Sequence, residues 1–345
     1  MVDDATPTLD AAMLREIGRA AALLASGGLV ALPTETVYGL GADASNRAAV
    51  RRIFAAKRRP VDHPLIVHIA SAAQLGDWAA EVPPAAHALA AAFWPGPLTL
   101  ILRRAQHVPD EVTGGQDTIG LRVPAHPVAL ALLRAFGGGV AAPSANRFGH
   151  VSPTTAAHVR AELGDEVDMV LDGGPCTVGI ESTIVDLTAA QPRILRPGGI
   201  TRAQLEAVLG AALGGHDANS VTAPRVSGAL ASHYAPETPV RWVERAAGDA
   251  AALRAVAAGA MSVGVISVVA NDALVAHQGM RVAWRALSPE PADYARALYA
   301  CLRELDELGL DLILLDVPPD TPAWEAVRDR LRRAAGLGQG GSHPG

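Results

Sequence analysis

The chain has 345 residues, of which 50% are hydrophobic and 19% charged, with a net charge of −6. This length suits two domains, and the acidic balance argues against a protein whose whole surface binds nucleic acid. Cys176 and Cys301 follow no paired spacing, which excludes a disulfide scaffold and a cysteine-rich zinc site. The chain shows neither a signal-peptide pattern nor an apolar run long enough for a membrane span, so we expect a soluble cytoplasmic protein without membrane contacts.

Strands and helices alternate over roughly the first 210 residues. Helical periodicity at 8–26, with Asp10 or Thr8 as the cap and two glycines at the end, precedes a buried strand at 29–33. The pattern then predicts helices at 48–56, 85–93, 127–136, 154–163 and 201–209. It predicts further strands at 65–69, 98–103, 118–124, 169–171 and 182–187, and a strand running into a turn at 140–146. This alternation indicates an α/β domain.

A segment without sustained periodicity, 214–239, separates this domain from a second α/β pattern. The segment is rich in Gly, Pro and other breakers, which is typical of a linker. After it we predict strands at 262–269, 282–287 and 311–317 and helices at 291–308 and 323–335. The predicted limits are therefore a first domain at 1–213, a linker at 214–239 and a smaller domain at 240–345, whose last residues, 336–345, we expect to be disordered.

Two common phosphate-binding loops were tested against the sequence and fit poorly. GPCTVGIE (174–181) has P-loop glycine spacing, but Ile180 and Glu181 replace the required Lys and Ser/Thr. GLGADA (39–44) satisfies a loose dinucleotide pattern, yet a polar segment separates it from the preceding strand. A phosphate ligand would therefore need a different kind of binding motif.

Positive charge is concentrated in AAKRRPVDHPLIVHIA (55–70). Lys57, Arg58 and Arg59 run directly into Pro60, which favours an extended conformation at Arg59. One reading is a solvated basic helix end, favoured by the helix dipole. The other is an anion site, in which Lys57 and Arg59 converge on one polyphosphate.

Polar residues recur where the predicted strands end. PTETVYGLG (33–41), PSAN (143–146) and GIESTIVD (179–186) follow or enter strands, and RPG (196–198) adds a cation at a turn. Each alone could be turn chemistry or helix capping. Arg122 lies within an apolar strand and needs an anionic partner, from the protein or from a ligand. Taken together, these loops indicate a ligand site at the strand ends of an α/β sheet.

An ordered set of motifs resembles the YrdC/Sua5 family of threonylcarbamoyl-AMP synthases over about residues 9–335. The motifs are LPTETVYGLG, AAKRRPVDHPLIVHI, FWPGPLTLIL, TIGLRVPAHP, AAPSANRFGHVSPT, DGG, GIESTIVDL and ILRPGGIT. HYAP in the linker and the second α/β pattern resemble the long, two-domain Sua5 form. The order of the set is specific, although any single piece is not.

The resemblance implies a nucleotidyltransferase, an L-threonylcarbamoyladenylate synthase. Its substrates would be ATP, L-threonine and bicarbonate, its by-product pyrophosphate, and Mg²⁺ would bridge the ATP phosphates without side-chain metal ligands. The product would serve N6-threonylcarbamoyl modification of adenosine 37 in tRNAs reading ANN codons, through a downstream tRNA threonylcarbamoyl transferase machinery. The implied fold is α/β, with a twisted open mixed sheet in the first, YrdC-like catalytic domain and a smaller Rossmann-like second domain.

The resemblance also implies site residues. The family's Lys-x-Arg and Ser-x-Asn signature falls on Lys57, Arg59, Ser144 and Asn146, the implied catalytic set. The ATP side would comprise Lys57, Arg59, His63, Thr118, Ser144, Asn146, Ser152, Arg196 and Tyr234. The threonine side would comprise Thr36, His68, Arg122, the backbone at Ala142, and Ser182. Two departures stand out, because Arg58 replaces a frequent Gly and His63 a frequent Asn.

These assignments give a chemical hypothesis. All three substrates are anionic or carry a carboxylate, so catalysis is mainly positioning and charge neutralisation. Lys57 and Arg59 would neutralise the triphosphate and Arg122 would hold the threonine carboxylate. His68 would be either a base for the threonine ammonium or a group that only orients the ligand. The linker, through Tyr234, would cover the nucleotide as a lid.

Two alternatives remain open from the sequence. The cation-bearing loops at the strand ends could instead bind RNA, even weakly, although only 4% of the residues are aromatic and stacking platforms are scarce. A related carbamoyl-adenylate-forming enzyme with a different acceptor would share the motifs. An assay with carbamoyl phosphate in place of threonine and bicarbonate distinguishes such an enzyme from a threonylcarbamoyl-AMP synthase.

Overall fold

A computed structural model describes residues 9–214, 223–228, 233–243, 259–269 and 281–337. The contacts of the chain divide it into two compact units. Unit 1 comprises Met1–Phe148, Pro153–Thr177 and Glu181–Ala229, and unit 2 comprises Gly149–Ser152, Val178–Ile180 and Leu230–Gly345. Part of the predicted linker therefore falls in each unit, and the domain limits at 213 and 239 stay a prediction. The disorder expected at 336–345 falls almost wholly outside the described residues.

The described part of unit 1 is built on a nine-stranded mixed sheet, which confirms the predicted sheet type. The strand order is β7-β1-β2-β6-β3-β5-β4-β8-β9. The strands are β1 Val30–Leu32, β2 Gly39–Asp43, β3 Ile66–His68, β4 Leu98–Arg103, β5 Thr118–Arg122, β6 Val140–Ala141, β7 Met169–Val170, β8 Thr183–Asp186 and β9 Arg193–Arg196. Parallel pairs (β3 with β5, β4 with β8) alternate with antiparallel ones such as β4 with β5.

Helices cover this sheet. They are α1 Ala11–Ala25, α2 Arg47–Lys57, α3 Leu75–Trp78, α4 Pro84–Phe93, α5 Asp110–Thr113, α6 Pro127–Phe136, α7 Ala156–Leu163 and α8 Arg202–Leu209. The predicted cap of the first helix is confirmed at Asp10, whose carboxylate accepts a hydrogen bond from the Met13 amide at 2.7 Å. Ile17 and Leu24 on its apolar face are buried in a core shared with α6.

The sequence prediction missed β2 and β9, as well as the short helices α3 and α5. In β2, a Cβ at Gly41 would lie 2.9 Å from the side chains of both Leu32 and Val140, closer than real Cβ atoms approach such neighbours. Gly41, the second glycine of GLGADA, is therefore explained by close packing in the sheet and not by a phosphate loop. Arg196, predicted at a turn, is instead the last residue of β9.

Unit 2 contains a parallel four-stranded sheet in the described residues, with the order β10-β13-β11-β12. Its strands are β10 Val240–Val243, β11 Ser262–Ser267, β12 Arg281–Ala286 and β13 Leu312–Asp316, and its helices are α9 Pro291–Asp306 and α10 Glu325–Ala334. The second α/β pattern is therefore confirmed, with β10 as an unpredicted strand. No helix in the described ranges has the length and apolarity to cross a membrane. Both cysteines are free and buried.

Arg58 caps the end of α2 in the left-handed conformation, with φ 50° and ψ 41°. This region favours glycine, which has no Cβ to clash with the following carbonyl. We expect Arg58→Gly to stabilise the protein by about 0.5–1 kcal/mol in urea unfolding, because the relief of about 1–2 kcal/mol of left-handed strain exceeds the entropic cost of glycine. Arg58→Ala keeps the Cβ and serves as the control, and an equal gain from both variants would contradict the backbone explanation.

Candidate active site

Lys57 joins the end of α2 to the turn formed by residues 144–146, here called the Ser-x-Asn turn. Its ammonium lies 2.5 Å from the carbonyl oxygens of both Ser144 and Asn146 and donates to each. The side chain is only 1% exposed, so the reading as a solvated helix end is wrong. Burial lowers the pKa of Lys57 well below its usual value, and the nearby Arg59 adds to this shift. The two halves of the predicted signature therefore meet at this lysine.

Arg59 is also buried, beside an aromatic ring that the sequence analysis did not single out. Its guanidinium lies 5.5 Å from the centre of the Phe148 ring and donates to the Pro64 carbonyl at 3.1 Å. His63 meets the same ring edge-on at 5.1 Å. Burial, followed by the charge of Arg59, lowers the pKa of His63. Phe148 thus gathers two predicted ATP-side residues around one ring.

The Ser-x-Asn turn does not cap a helix. Thr155 is the N-cap of α7, so the capping alternative for PSAN is wrong. Asn146 is 1% exposed and its amide donates to the Arg147 carbonyl at 2.8 Å. Ser144 is half-buried and bridges to Gly39 of β2. The turn is therefore fixed by the sheet and by Lys57.

Arg196 connects the predicted ATP side to the predicted threonine side. It donates from Nε to the Ser182 carbonyl and from Nη2 to the Ser182 hydroxyl, each at 3.0 Å. That hydroxyl also lies 2.7 Å from Thr99 Oγ1. From Nη1, Arg196 donates to the carbonyl of Ser227 at 2.9 Å. Ser182 is therefore held in one orientation by its neighbours.

Residues 223–228 of the predicted linker lie against this cluster within unit 1. Their Val226 and Ser227 line a pocket with about 270 Å³ of empty space, counting its mouth, and Thr118 also lines it. The Ser227 hydroxyl accepts from Arg59 at 3.4 Å, and Arg225 donates to the Gly114 carbonyl at 2.8 Å. These linker residues were not predicted from the sequence, in which Tyr234 was the expected contact of the linker.

On the threonine side, the anionic partner expected for Arg122 is Glu35. The two side chains form a buried ion pair, with 2.7 Å between Nη2 and Oε1. Arg122 also donates from Nη1 to the Thr36 hydroxyl at 2.9 Å and from Nε to the Gly96 carbonyl at 3.3 Å. Glu35 was missed as a site residue, although its place in PTETVYGLG beside a predicted strand end was a usable signal.

His68 lies on β3 next to Arg122 of β5 in the parallel register, and is 3% exposed. Burial and then the charge of Arg122 lower its pKa to about 3. A pKa this far below that of an amino-acid ammonium strongly disfavours transfer of the threonine proton to His68. The geometry favours an orienting role over that of a base. The Ala142 amide, on the same side, already donates to the Ile66 carbonyl at 3.0 Å.

The depressed pKa of His68 makes folding pH-dependent. The unfolded histidine takes up a proton near pH 6.5 and the folded one only near pH 3, so its contribution to stability is complete above pH 6.5 and is lost as the pH falls toward 3. Between pH 8 and pH 5 we expect a loss of about 2 kcal/mol from this group. Urea unfolding of the wild type and His68→Gln should show their stability difference shifting by that amount, and a constant difference would contradict it.

Ser152 and Tyr234 belong to unit 2, unlike the other predicted site residues. Both side chains are buried, at 0% and 1% exposure.

Among the residues that the structure describes, no group of three or more His, Cys, Asp or Glu is placed to hold a metal ion.

Comparisons with known proteins agree over most of the chain. Residues 22–198 match the Sua5/YciO/YrdC family model, described as "Telomere recombination", and residues 200–336 match the model "Threonylcarbamoyl-AMP synthase, C-terminal domain". Two relatives named threonylcarbamoyl-AMP synthase are each 41% identical to the chain. The alignment with the Pyrococcus abyssi protein covers 92% of this chain and 93% of the relative, and that with the Bacillus subtilis protein covers 93% of each.

A solved structure gives the same result for the fold. The crystal structure of P. abyssi Sua5 complexed with L-threonine matches with a TM-score of 0.84 at 39% identity, and the match covers 94% of this chain and 95% of that one.

Proposed function

The chain belongs to the Sua5/YrdC family in its two-domain, threonylcarbamoyl-AMP synthase form, and on this premise we propose that it makes L-threonylcarbamoyladenylate and pyrophosphate from L-threonine, bicarbonate and ATP. The relatives' shared activity and the P. abyssi complex with L-threonine support the enzyme class and its amino-acid substrate.

The observation that carries the proposal is the burial of Lys57 against the Ser-x-Asn turn, beside a second buried cation, Arg59. A polyphosphate entering such a site meets the charge of Arg59, which water screens poorly, and favours the charged form of Lys57. Arg196 extends the positive surface toward Ser182. We assign these residues to the ATP side, with the cations neutralising the charge that builds on the departing pyrophosphate.

Threonine would be bound beside them. Its carboxylate would pair with Arg122, and its polar groups would meet Thr36 and Ser182, whose hydroxyls are already oriented by hydrogen bonds. His68 stays neutral and orients the ligand. The carbamate formed from the threonine amine and bicarbonate would attack the α-phosphorus of ATP, a step that needs in-line positioning more than covalent help from the protein.

Mg²⁺ enters this proposal with ATP. Because Mg²⁺ keeps several waters and binds substrate phosphates readily, it requires no dedicated carboxylate cage. The bound ion would neutralise phosphate charge alongside Lys57 and Arg59.

We propose further that the product passes to a tRNA threonylcarbamoyl transferase, which would consume its activated carbamoyl group.

Pyrophosphate release tests the function directly. We expect release only when ATP, Mg²⁺, L-threonine and bicarbonate are all present, and loss of the signal when any one is omitted. Release that continues without threonine, or that carbamoyl phosphate supports in its place, would overturn the assignment. RNA binding with a steep salt dependence and no threonine-dependent release would favour the RNA-binding alternative.

A further inference from the structure

Phe148 follows the Ser-x-Asn turn, and the peptide unit that leads into it is held at both of its polar groups. The Asn146 side-chain amide donates to the carbonyl of Arg147 at 2.8 Å, and the Phe148 amide donates to the Lys57 carbonyl at 2.8 Å. Backbone donors and acceptors bind strongly, so engaging both on one peptide unit opposes its rotation. The backbone of Phe148 is therefore fixed by two residues of the predicted signature.

The half-buried ring of Phe148 has two aromatic or cationic neighbours in unit 1. The guanidinium carbon of Arg59 lies over the ring, 5.5 Å from its centre and within cation–π range. His63 meets the ring edge-on at 5.1 Å. Burial, and then the charge of Arg59, lower the pKa of His63 from its ordinary value near 6.5, so this imidazole is neutral above pH 7. Of the two neighbours, Arg59 is therefore the charged one.

The ring and the hydrogen bonds of Arg59 constrain its guanidinium in different ways. Nη2 donates to the Pro64 carbonyl at 3.1 Å and to the Ser227 hydroxyl at 3.4 Å, which fixes the position of that nitrogen. The face of the Phe148 ring restricts the plane of the whole group. A guanidinium is a planar fork that binds phosphate oxygens best when its plane is aligned with them. An arginine aligned before binding also loses less conformational entropy when the phosphates arrive.

We propose that Phe148 is a positioning residue for the synthase reaction, holding the guanidinium plane of Arg59 in the orientation in which it meets the phosphates of ATP. The inference rests on the proposed function, which assigns Arg59 to the triphosphate because it is a buried cation close to Lys57. It adds a residue outside the Lys-x-Arg and Ser-x-Asn signature, and every contact it uses lies within unit 1. Phe148 acts through Arg59 and does not itself need to touch ATP.

The test measures kcat, KM for ATP and KM for threonine from pyrophosphate release by the full chain at a pH of about 8, where His63 is neutral. Phe148→Leu removes the aromatic face but keeps an apolar side chain and both backbone hydrogen bonds. We expect kcat/KM for ATP to fall about tenfold, with KM for threonine unchanged, because the alignment of Arg59 is lost. Phe148→Tyr keeps the face and should stay within about twofold of the wild type.

Phe136→Leu is the matched control. Phe136 is also half-buried, ends α6 and packs against the core that this helix shares with α1. The same substitution there should leave kcat/KM for ATP within about twofold of the wild type, although both leucine variants lose some apolar packing. Urea unfolding of each variant measures that loss of stability separately from the kinetic effect.

A double-variant cycle with Arg59→Ala separates this inference from the proposed function. If Phe148 acts through Arg59, Phe148→Leu adds nothing in the Arg59→Ala background. Additive losses, equal rises in KM for both substrates, or a loss in Phe148→Tyr as large as in Phe148→Leu overturn the inference. If Arg59→Ala lowers kcat/KM for ATP while Phe148→Leu does not, the inference alone fails. If Arg59→Ala has normal rates, the assignment of Arg59 to ATP fails and takes the inference with it. Should Phe148→Leu fold poorly, the same cycle is run with Phe148→Met.

Discussion

Replacing Lys57 by alanine is expected to lower kcat/KM for ATP. The expected loss of transition-state stabilisation is on the order of 2–4 kcal/mol. The loss has two physical sources. One is the missing positive charge beside the phosphates. The other is the Ser-x-Asn turn, whose carbonyls at Ser144 and Asn146 lose the donor that Lys57 supplies at 2.5 Å. Because those carbonyls lie beside a buried side chain, we also expect a loss of about 1–3 kcal/mol in the free energy of unfolding.

Arg59→Ala provides the comparison. It should lose a similar amount of catalysis, since its charge faces the same proposed triphosphate, while both hydrogen bonds from Lys57 to the Ser-x-Asn turn are kept. Arg58→Ala is the matched control, because Arg58 lies between the two and its side chain is exposed. Pyrophosphate release and urea unfolding measure the two effects separately. Normal rates in both the Lys57 and Arg59 variants would reject the proposed ATP site.

The sequence predicted most of the fold because periodicity and breakers mark elements that are regular and apolar. The helix at 127–136 and the strand at 98–103 are observed with the predicted bounds. The failures have local causes. β2 reads GLGAD, in which glycines suggest a loop, and only the neighbouring Leu32 and Val140 reveal that they permit strand packing. β9 begins and ends with arginine, so its alternation is masked.

The site was predictable as a set of residue types, but its connections were not. Arg122 signalled a need for an anion, yet no local pattern could show that Glu35, 87 positions away, would meet it. Likewise, the sequence shows the positive charge of Lys57. It could not predict the hydrogen bonds of Lys57 to carbonyls almost ninety residues further along the chain. Long-range partners are set by the topology of the sheet and not by sequence spacing.

The Arg122–Glu35 pair offers a test in which structural and functional roles separate. Arg122→Gln should cost about 3–5 kcal/mol of stability, because it leaves a buried carboxylate without its cation. It should also weaken threonine binding about 10- to 100-fold, since a charged hydrogen-bonding partner of the substrate carboxylate is lost. One variant alone cannot separate these effects, because a destabilised site binds poorly for any reason.

The double variant Glu35→Gln/Arg122→Gln removes both charges, keeps the shape of residue 35 and shortens residue 122 by the same amount as the single variant. We expect it to recover most of the stability, because neither charge is left unpaired, while threonine affinity stays low. Urea unfolding and calorimetric titration with L-threonine give the two quantities. If the double variant binds threonine like the wild type, Arg122 does not hold the substrate carboxylate. If it stays as unstable as Arg122→Gln, the cost lies in packing and not in the unpaired charge of Glu35.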